Sequence, residues 1–366
     1  MSSKELKAVA TLVAGTIGVG FLALPYAMHS FGTFWGILIL IVAAIIVLVT
    51  NLAYTDIIIT DRKNCQIPTY TKLHLGTIPS YIVTFIIIFG LFGILLAYSM
   101  IAGTVLSTLL SPLSVSLSVS FLGTLFILVG IFVMKSGMKI IAHFSTYAVI
   151  ALIAALLFIT ISSIPHVTES NISSLHISEL STIFGIALFA LYSTASIPMV
   201  DEIIGYESKK YHRVVILAVL SVLVLYIIFG VVMSLRFGDS IESGFIDTFT
   251  SEPYYILATV GIVILLSIFT SFVLVSNNVR EILSYDYKVP NKIALLLILA
   301  LSLWIFLLNT QSFESLLAIV GNFSLAVQSL VIFAIWFRMF GKKKTFYKII
   351  VALSGCILII GIVSQF

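Results

Sequence analysis

The sequence predicts an all-α protein that crosses a membrane about eleven times, and three observations lead to this prediction. Of the 366 residues, 60% are hydrophobic and only 9% are charged. Soluble domains carry about a quarter charged residues, so this chain has too few charges to cover a surface that faces water. Apolar runs such as Thr33–Thr60 and Val214–Leu235 are long enough to span a bilayer as helices. They lack the alternation of barrel strands, which favours a helical bundle.

The apolar segments can be delimited along the chain by hydropathy, each to within a few residues. In order, and numbered as spans 1 to 11, they are residues 6–29, 33–59, 81–110, 115–134, 140–163, 181–204, 214–236, 254–277, 290–309, 313–338 and 345–364. No small-residue cleavage pattern follows the short N-terminus, so we expect span 1 to be retained rather than removed as a signal peptide.

The distribution of basic residues predicts the direction of the spans. If the N-terminus is cytoplasmic and every segment crosses, eighteen of the nineteen Lys and Arg residues lie on the cytoplasmic side, and only Arg236 lies outside. This asymmetry follows the positive-inside rule and supports the count of eleven. The C-terminal Phe366 is then outside, and the expected location is the cell (cytoplasmic) membrane. The acidic residues of the outer loop 237–253 are interpreted as solvated.

Several functional classes are excluded by what the sequence lacks. The two cysteines, Cys65 and Cys356, form no CxxC or zinc spacing, and there is no HExxH motif and no pair of mid-span aspartates. A disulfide scaffold, a metal cluster, a cofactor and a membrane-embedded enzyme are therefore not expected. The basic residues are scattered, which argues against nucleic acid as a partner. The oligomeric state is left open.

Two spans contain sequences that break helices. Span 1 has three glycines within six residues, Gly15, Gly18 and Gly20, and span 6 contains Ser193–Pro198. The two spans are five apart in the chain, so they run in opposite directions. This predicts a single domain, 1–366, built from two inverted repeats at about 6–163 and 181–338. An extra helix at 345–364 follows the second repeat. Matching interruptions in two halves indicate a transporter binding site. The alternatives are packing glycines in span 1 and a simple proline kink in span 6.

Three stretches resemble amino acid permeases. Ala14–Ala27 (AGTIGVGFLALPYA) is similar to the first-helix signature of the aromatic (tyrosine/tryptophan) permeases and of the amino acid/auxin permease family. Phe189–Val200 resembles their sixth helix, and Tyr98–Gly103 resembles the third helix of the amino acid/auxin permeases. The resemblance implies the leucine-transporter fold of the amino acid–polyamine–organocation (APC) superfamily, with discontinuous helices 1 and 6. Sodium-coupled relatives have an asparagine where this chain has Ala14, which weakens the case for sodium.

The resemblance implies secondary active import of neutral amino acids, with aromatic or hydrophobic side chains foremost, by proton- or sodium-coupled symport. Freed amides at the start of the second half of helix 1 would bind the carboxylate, because a helix N-terminus favours anions. Unpaired carbonyls in the two breaks would accept the ammonium, and spans 3, 6 and 10 would select the side chain. The candidate substrate-binding residues are Gly15, Thr16, Gly18, Val19, Gly20, Tyr98, Phe189, Tyr192, Ser193 and Thr194. For Tyr98 and Phe189, ordinary helix packing is an equal alternative.

The coupling ion is left open. The resemblance implies a sodium site near helix 8, where Thr270 and Ser271 supply hydroxyls, although such hydroxyls more often bond their own helix. Proton coupling needs an ionisable group, and the candidates are Asp56 and Glu202 near the inner ends of spans 2 and 6. A second functional class is an amino-acid-sensing receptor of the germinant-receptor type, which binds amino acids without obvious transport.

Overall fold

A computed structural model of the chain describes residues 2–62, 66–113, 116–135, 138–169, 172–242, 244–341 and 345–363. In these ranges the regular structure is helical. The helices are α1 Ser3–Thr16, α2 Gly20–Phe31, α3 Thr33–Asp61, α4 Ile67–His74, α5 Thr77–Leu110, α6 Val119–Lys135, α7 Met138–Ser163, α8 Leu180–Leu191, α9 Pro198–Ile204, α10 Ser208–Phe237, α11 Tyr254–Glu281, α12 Asn291–Leu308, α13 Phe313–Ile319, α14 Ala326–Phe340 and α15 Thr345–Val363.

The helices coincide with the predicted spans. In the part of the chain that the structure describes, seven helices are long and apolar enough to cross a membrane, and α1 with α2 makes one further span bent by 64°. Spans 4, 5 and 11 match the shorter apolar stretches Val119–Met134, Ile150–His166 and Lys348–Val363. Large side chains on the outer surface are exposed, among them Phe85 at 73% and Phe132 at 70%, as expected of helices that face lipid. The prediction of an all-α, multi-pass membrane protein is confirmed.

The helices pack in two groups. In the first, which we call the broken-helix group, α1, α2, α3, α8, α9 and α10 contact one another. In the second, the scaffold group, α5, α6, α11 and α12 contact one another. Span 10, made of α13 and α14, contacts both groups. Because span 10 lies between them, it is placed to link any relative motion of the two groups.

The boundary between spans 2 and 3 was wrong, and a short helix in this region was not predicted. α5 begins at Thr77, four residues earlier than predicted, because Pro79 lies in its first turn, where a missing amide donor costs nothing. Before it, α4 packs beneath span 10, with Tyr70 and Thr71 fully buried. Since α4 is short and only half apolar, hydropathy alone does not reveal it.

The connection between α10 and α11 is folded, so interpreting its acidic residues as solvated was wrong for two of them. Asp247 accepts a hydrogen bond of 2.8 Å from the Thr108 hydroxyl of α5. Glu252 pairs with Arg236 at the end of α10. Phe245 of the same loop is buried. This loop therefore covers the end of the bundle opposite the N-terminus.

Span 10 meets span 6 at a point where only glycine fits. The helix of span 10 widens to a π-helix over Val320–Leu325, and a Cβ atom at Gly321 would lie 1.9 Å from the carbonyl oxygen of Gly185 in α8. π-Helical turns often occur at functional sites. Here the turn brings the two backbones into direct contact, so this contact fixes how closely spans 6 and 10 approach.

We predict that Gly321→Ala separates these helices and lowers the free energy of unfolding by about 1–3 kcal/mol, the usual cost of overpacking. The measurement is the melting temperature of the purified protein in detergent. Gly355→Ala in α15 is the control, because its nearest contact to an added Cβ is an ordinary 3.6 Å. Equal melting temperatures for the two variants would contradict the prediction.

Candidate functional site

The break in span 1 exposes three backbone amides. α1 ends at Thr16, and Ile17 leaves the helix in an extended conformation while its amide still donates to Val13. α2 starts again at Gly20 without a side-chain cap. Among the described residues, no protein acceptor is found for the amides of Gly18, Val19 and Gly20. These donors lie at the positive end of α2, where an anion is favoured.

The break in span 6 exposes a carbonyl. α8 ends at Leu191, and a single 3₁₀ turn leads to Pro198, which opens α9 at a position that needs no amide donor. The Ser193 and Thr194 carbonyls accept the amides of the turn at 2.9 and 3.2 Å. For the carbonyl of Tyr192, no amide partner is found within the described ranges. The second break is therefore more than a proline kink, because the α-helix already ends at Leu191, six residues before the last residue that precedes Pro198.

One residue that the sequence analysis missed fixes this break. Asn51, fully buried in α3, donates from Nδ2 to the Ser193 hydroxyl at 2.9 Å. Its Oδ1 accepts from the Thr194 hydroxyl at 3.0 Å. Both ends of the amide are therefore used to hold the unwound segment. The signal in the sequence was an asparagine in the middle of an apolar span, since a buried amide needs partners.

The glycines of span 1 divide into two kinds. A Cβ atom at Gly15 would lie 2.0 Å from the Ser196 hydroxyl, and one at Gly20 would lie 2.7 Å from the Ala190 Cα atom. These two are packing glycines that bring spans 1 and 6 together, as the alternative interpretation expected. Gly18 differs, because the nearest atom to its added Cβ is the hydroxyl oxygen of Tyr98, at 3.2 Å.

Aromatic side chains surround the amides of span 1. The Tyr98 hydroxyl of α5 faces Gly18. The buried Tyr226 of α10 is close enough to Tyr98 for the two side chains to interact electrostatically. The Tyr226 ring stacks on Phe21 with 6.4 Å between centroids, and Phe189 lies against Gly20. No partner for the buried Tyr226 hydroxyl occurs among the residues described. The structure thus places two hydroxyls, those of Tyr98 and Tyr226, in an otherwise apolar, aromatic lining.

Tyr192 connects the break in span 6 to span 10. Its hydroxyl donates to Gln328 Oε1 at 3.4 Å, and Gln328 Nε2 donates to Ser324 in the π-helical turn at 3.3 Å. Ser324 donates in turn to the carbonyl of Ile86 in α5. Tyr192 therefore lies at the boundary between the broken-helix group and span 10.

The two hydroxyls of span 8 are arranged differently. The Thr270 hydroxyl donates within its own helix, to the Ser267 carbonyl at 2.9 Å and to the Leu266 carbonyl at 3.3 Å. Hydrogen bonding within its own helix is the alternative that the sequence analysis gave for Thr270. Ser271 is partly exposed and lies beside the Tyr98 hydroxyl. Of the two, only Ser271 is thus next to the aromatic lining.

The two acidic candidates lie at the end of the bundle that carries the N-terminus. Asp56 in α3 contacts His212 at 3.1 Å and accepts from the Trp336 indole at 3.0 Å, so its carboxylate is held by two other helices. Glu202 is in α9, and its side chain is outside the described part of the structure. Asp56 is therefore apart from the two breaks, in a cluster of its own.

We predict that Asn51→Ala leaves the Ser193 and Thr194 hydroxyls without their partner and lowers the free energy of unfolding by about 1–3 kcal/mol, the cost of orphaned buried polar groups. The measurement is the melting temperature in detergent. Thr50→Val is the matched control, because the buried Thr50 hydroxyl bonds only its own helix, at the Ile46 carbonyl. The prediction is wrong if the two variants have the same melting temperature.

Comparison with known proteins agrees with this arrangement. The whole chain, residues 1–366, matches the model of the family described as transmembrane amino acid transporter protein. A relative is glutamine transporter 2 of Aliivibrio fischeri, 24% identical over 279 residues that cover 73% of this chain and 70% of the relative.

A solved structure, that of MhsT in complex with L-phenylalanine, resembles the whole chain. The superposition has a TM-score of 0.66 at 14% sequence identity, and it covers 100% of this chain and 99% of the MhsT chain. This likeness confirms the leucine-transporter fold that the broken helices predicted. The full-length family match shows that the chain belongs to the transmembrane amino acid transporter family and is a transporter rather than an enzyme.

Proposed function

We propose that this protein is a secondary active transporter that imports neutral amino acids across the cell membrane by alternating access, in symport with protons or sodium ions. The observation that carries the proposal is the pair of helix breaks in spans 1 and 6. They lie in contact, with free amides on one and a free carbonyl on the other. At membrane depth, such groups are tolerated only where they are buried in protein or line a water-filled cavity, and a binding site is such a cavity.

The breaks supply complementary groups for the two charges of an amino acid. The amides of Gly18, Val19 and Gly20 bind the carboxylate at the positive end of α2. The carbonyls of Gly15, Thr16 and Tyr192 accept the ammonium; those of Ser193 and Thr194 already accept amides and have only a second lone pair to offer. Because both charges are met by backbone dipoles, the site needs no charged side chain.

The substrate side chain is neutral in this proposal. The sequence has no Asp, Glu, Lys or Arg in residues 8–55, 180–200, 214–235 or 253–279, so a charged substrate side chain would have no counter-charge. The aromatic lining favours large hydrophobic or aromatic side chains. The Tyr98 and Tyr226 hydroxyls would also form hydrogen bonds with a neutral polar substrate side chain. Phenylalanine, present in the MhsT complex, and glutamine, named in the relative, are therefore the two informative probes.

The proposed architecture is two inverted repeats, about 6–163 and 181–338, followed by the extra helix 345–364. The N-terminus is in the cytoplasm and the C-terminus outside. The observed antiparallel breaks in spans 1 and 6 and the distribution of basic residues support this arrangement.

We predict that Gly18→Val abolishes counterflow of the preferred substrate, because the added carbon atoms occupy the space between the amides and the Tyr98 hydroxyl. The measurement is counterflow in liposomes with a panel of radiolabelled amino acids, including phenylalanine and glutamine. It is repeated with separate sodium and pH gradients to identify the coupling ion. Gly355→Val, in the partly exposed surface of α15, is the control.

Gly20 is unsuitable for this test, since a side chain there meets the Ala190 backbone and disturbs folding. Unchanged counterflow in a folded Gly18→Val protein would show that the substrate carboxylate does not bind to span 1. Saturable binding without counterflow in the wild-type protein would instead favour the receptor of the germinant-receptor type.

We predict that the two termini are on opposite sides of the membrane. An epitope tag at the N-terminus should become accessible to antibody only after permeabilisation of the cells, whereas a tag at the C-terminus should be accessible in intact cells. The reason is the odd number of spans combined with the positive-inside pattern. Accessibility of both tags in intact cells, or of neither, would contradict it.

A further inference from the structure

One buried side chain beside the breaks has a polar atom without a partner. Tyr226 of α10 is fully buried, and its ring stacks on Phe21 of α2 with 6.4 Å between the ring centroids. The hydroxyl oxygen is enclosed, and among the residues that the structure describes none forms a hydrogen bond with it. An enclosed hydroxyl without a hydrogen bond raises the free energy of a protein, so such groups are rare. This one therefore needs an explanation.

Packing does not explain the Tyr226 hydroxyl. The contact with Phe21 joins two rings, and a phenylalanine at position 226 would keep it. Tyr211, which is on the same helix and equally buried, donates its hydroxyl hydrogen to the Ile197 carbonyl at 2.5 Å. Tyr226 differs from Tyr211 in having no such acceptor in the described part of the chain. The difference indicates that its hydroxyl pairs with a group that the chain does not supply.

The hydroxyl lies beside the proposed carboxylate site. Phe21 directly follows the amides of Gly18–Gly20, for which the described residues supply no acceptor. Tyr226 is also close enough to Tyr98 to interact with it electrostatically, and the Tyr98 hydroxyl is 3.2 Å from the position of a Cβ atom at Gly18. Because the three amides bind the substrate carboxylate in the proposed site, the substrate group left for the Tyr226 hydroxyl is the side chain.

We propose that the Tyr226 hydroxyl determines specificity and selects neutral amino acids with a carboxamide side chain over aliphatic and aromatic ones. The proposal rests on the transport function and the carboxylate site proposed above. A hydroxyl both donates and accepts hydrogen bonds, and a carboxamide offers an acceptor oxygen together with N–H donors. An apolar side chain leaves the hydroxyl unpartnered. A site built to hydrogen-bond its substrate rejects analogues that lack the bonding group.

The surroundings of the hydroxyl exclude a charged side chain of the same shape. Glutamate differs from glutamine by a charged oxygen in place of the amide nitrogen. The helices that meet here are α2, α5 and α10, and they contain no Lys or Arg in residues 20–31, 77–110 and 214–235. A buried carboxylate would therefore have no counter-charge, and a neutral hydroxyl does not compensate for its lost hydration. The selection is thus for the neutral carboxamide.

A movement of α2 gives the substrate access to the enclosed hydroxyl. The ring packed on Tyr226 belongs to Phe21, in the first turn of this helix of 12 residues. The break separates α2 from α1 with a bend of 64°. A shift of α2 about the break therefore changes what surrounds the hydroxyl. A carboxamide that pairs with Tyr226 stabilises the new arrangement, whereas an apolar side chain gains no such bond.

We test the selection by counterflow in liposomes, comparing three radiolabelled substrates within each variant. Glutamine is the carboxamide probe, methionine an unbranched apolar probe of similar length, and phenylalanine the aromatic probe. In the wild type, the half-saturation concentration for glutamine should be about tenfold below the values for the other two. Tyr226→Phe should raise the glutamine value about tenfold, because one buried hydrogen bond is lost, and should change the others less than about twofold. Equal changes for all three, or a wild-type preference for methionine or phenylalanine, would overturn the proposal.

The melting temperature distinguishes binding from a structural role of the hydroxyl. Tyr226→Phe should melt at the wild-type temperature in detergent without substrate, because the hydroxyl has no partner among the described residues. Tyr211→Phe is the matched control on the same helix and should melt at a lower temperature, because the Ile197 carbonyl loses its donor. If Tyr226→Phe is destabilised as much as Tyr211→Phe, or does not fold, the hydroxyl has a structural partner and the proposal is wrong.

The outcomes separate this proposal from the transport function. Counterflow in the wild type without a substrate-specific effect of Tyr226→Phe overturns the role of Tyr226 and leaves transport standing. Saturable glutamine binding without counterflow overturns the transport function. In that case a tenfold weaker glutamine binding in Tyr226→Phe would still support the role of Tyr226, and unchanged binding would overturn it.

Discussion

Backbone groups freed inside a membrane must find partners in the protein or line a site, and the rest of this structure depends on how two breaks satisfy that constraint. Spans 1 and 6 each give up helical hydrogen bonds, which is costly in a medium without water. Close packing of Gly15 and Gly20 against span 6 keeps both breaks within protein. Asn51 then ties down the hydroxyls of the second break. Among the described residues, a row of amides and a carbonyl remains without a protein partner, and this arrangement suits a zwitterion.

The three glycines of span 1 have different surroundings within one motif. Gly15 and Gly20 lack side chains so that two helices can touch, whereas Gly18 leaves room beside the Tyr98 hydroxyl. In the sequence the three are equivalent, since hydropathy and helix propensity treat every glycine alike. Only the neighbours across the helix interface separate them. The packing interpretation of span 1 is therefore correct for Gly15 and Gly20, whereas the binding-site interpretation stays a prediction for Gly18.

Much of the fold could be predicted from sequence because it follows from local properties. Long apolar runs define helices, and Gly15–Gly20 and Ser193–Pro198 define the breaks. What could not be predicted depends on contacts between distant residues. The packing of α4 beneath span 10, the clamp of Asn51 on Ser193 and the pairing of Asp247 with Thr108 all join segments far apart in the chain. Thr270 shows the same limit, because its sequence position suited an ion site while its hydroxyl bonds its own helix.

One helix carries both the residue that holds the break in span 6 and the buried carboxylate that contacts spans 7 and 10. Asn51 and Asp56 are both on α3, five residues and about 7.5 Å apart along the axis. The first holds the break in span 6, and the second contacts spans 7 and 10 at the end of the bundle that carries the N-terminus. Because α3 is an unbroken helix of 29 residues, its backbone holds these two residues at a fixed separation. The position of the break in span 6 relative to spans 7 and 10 is therefore set through α3.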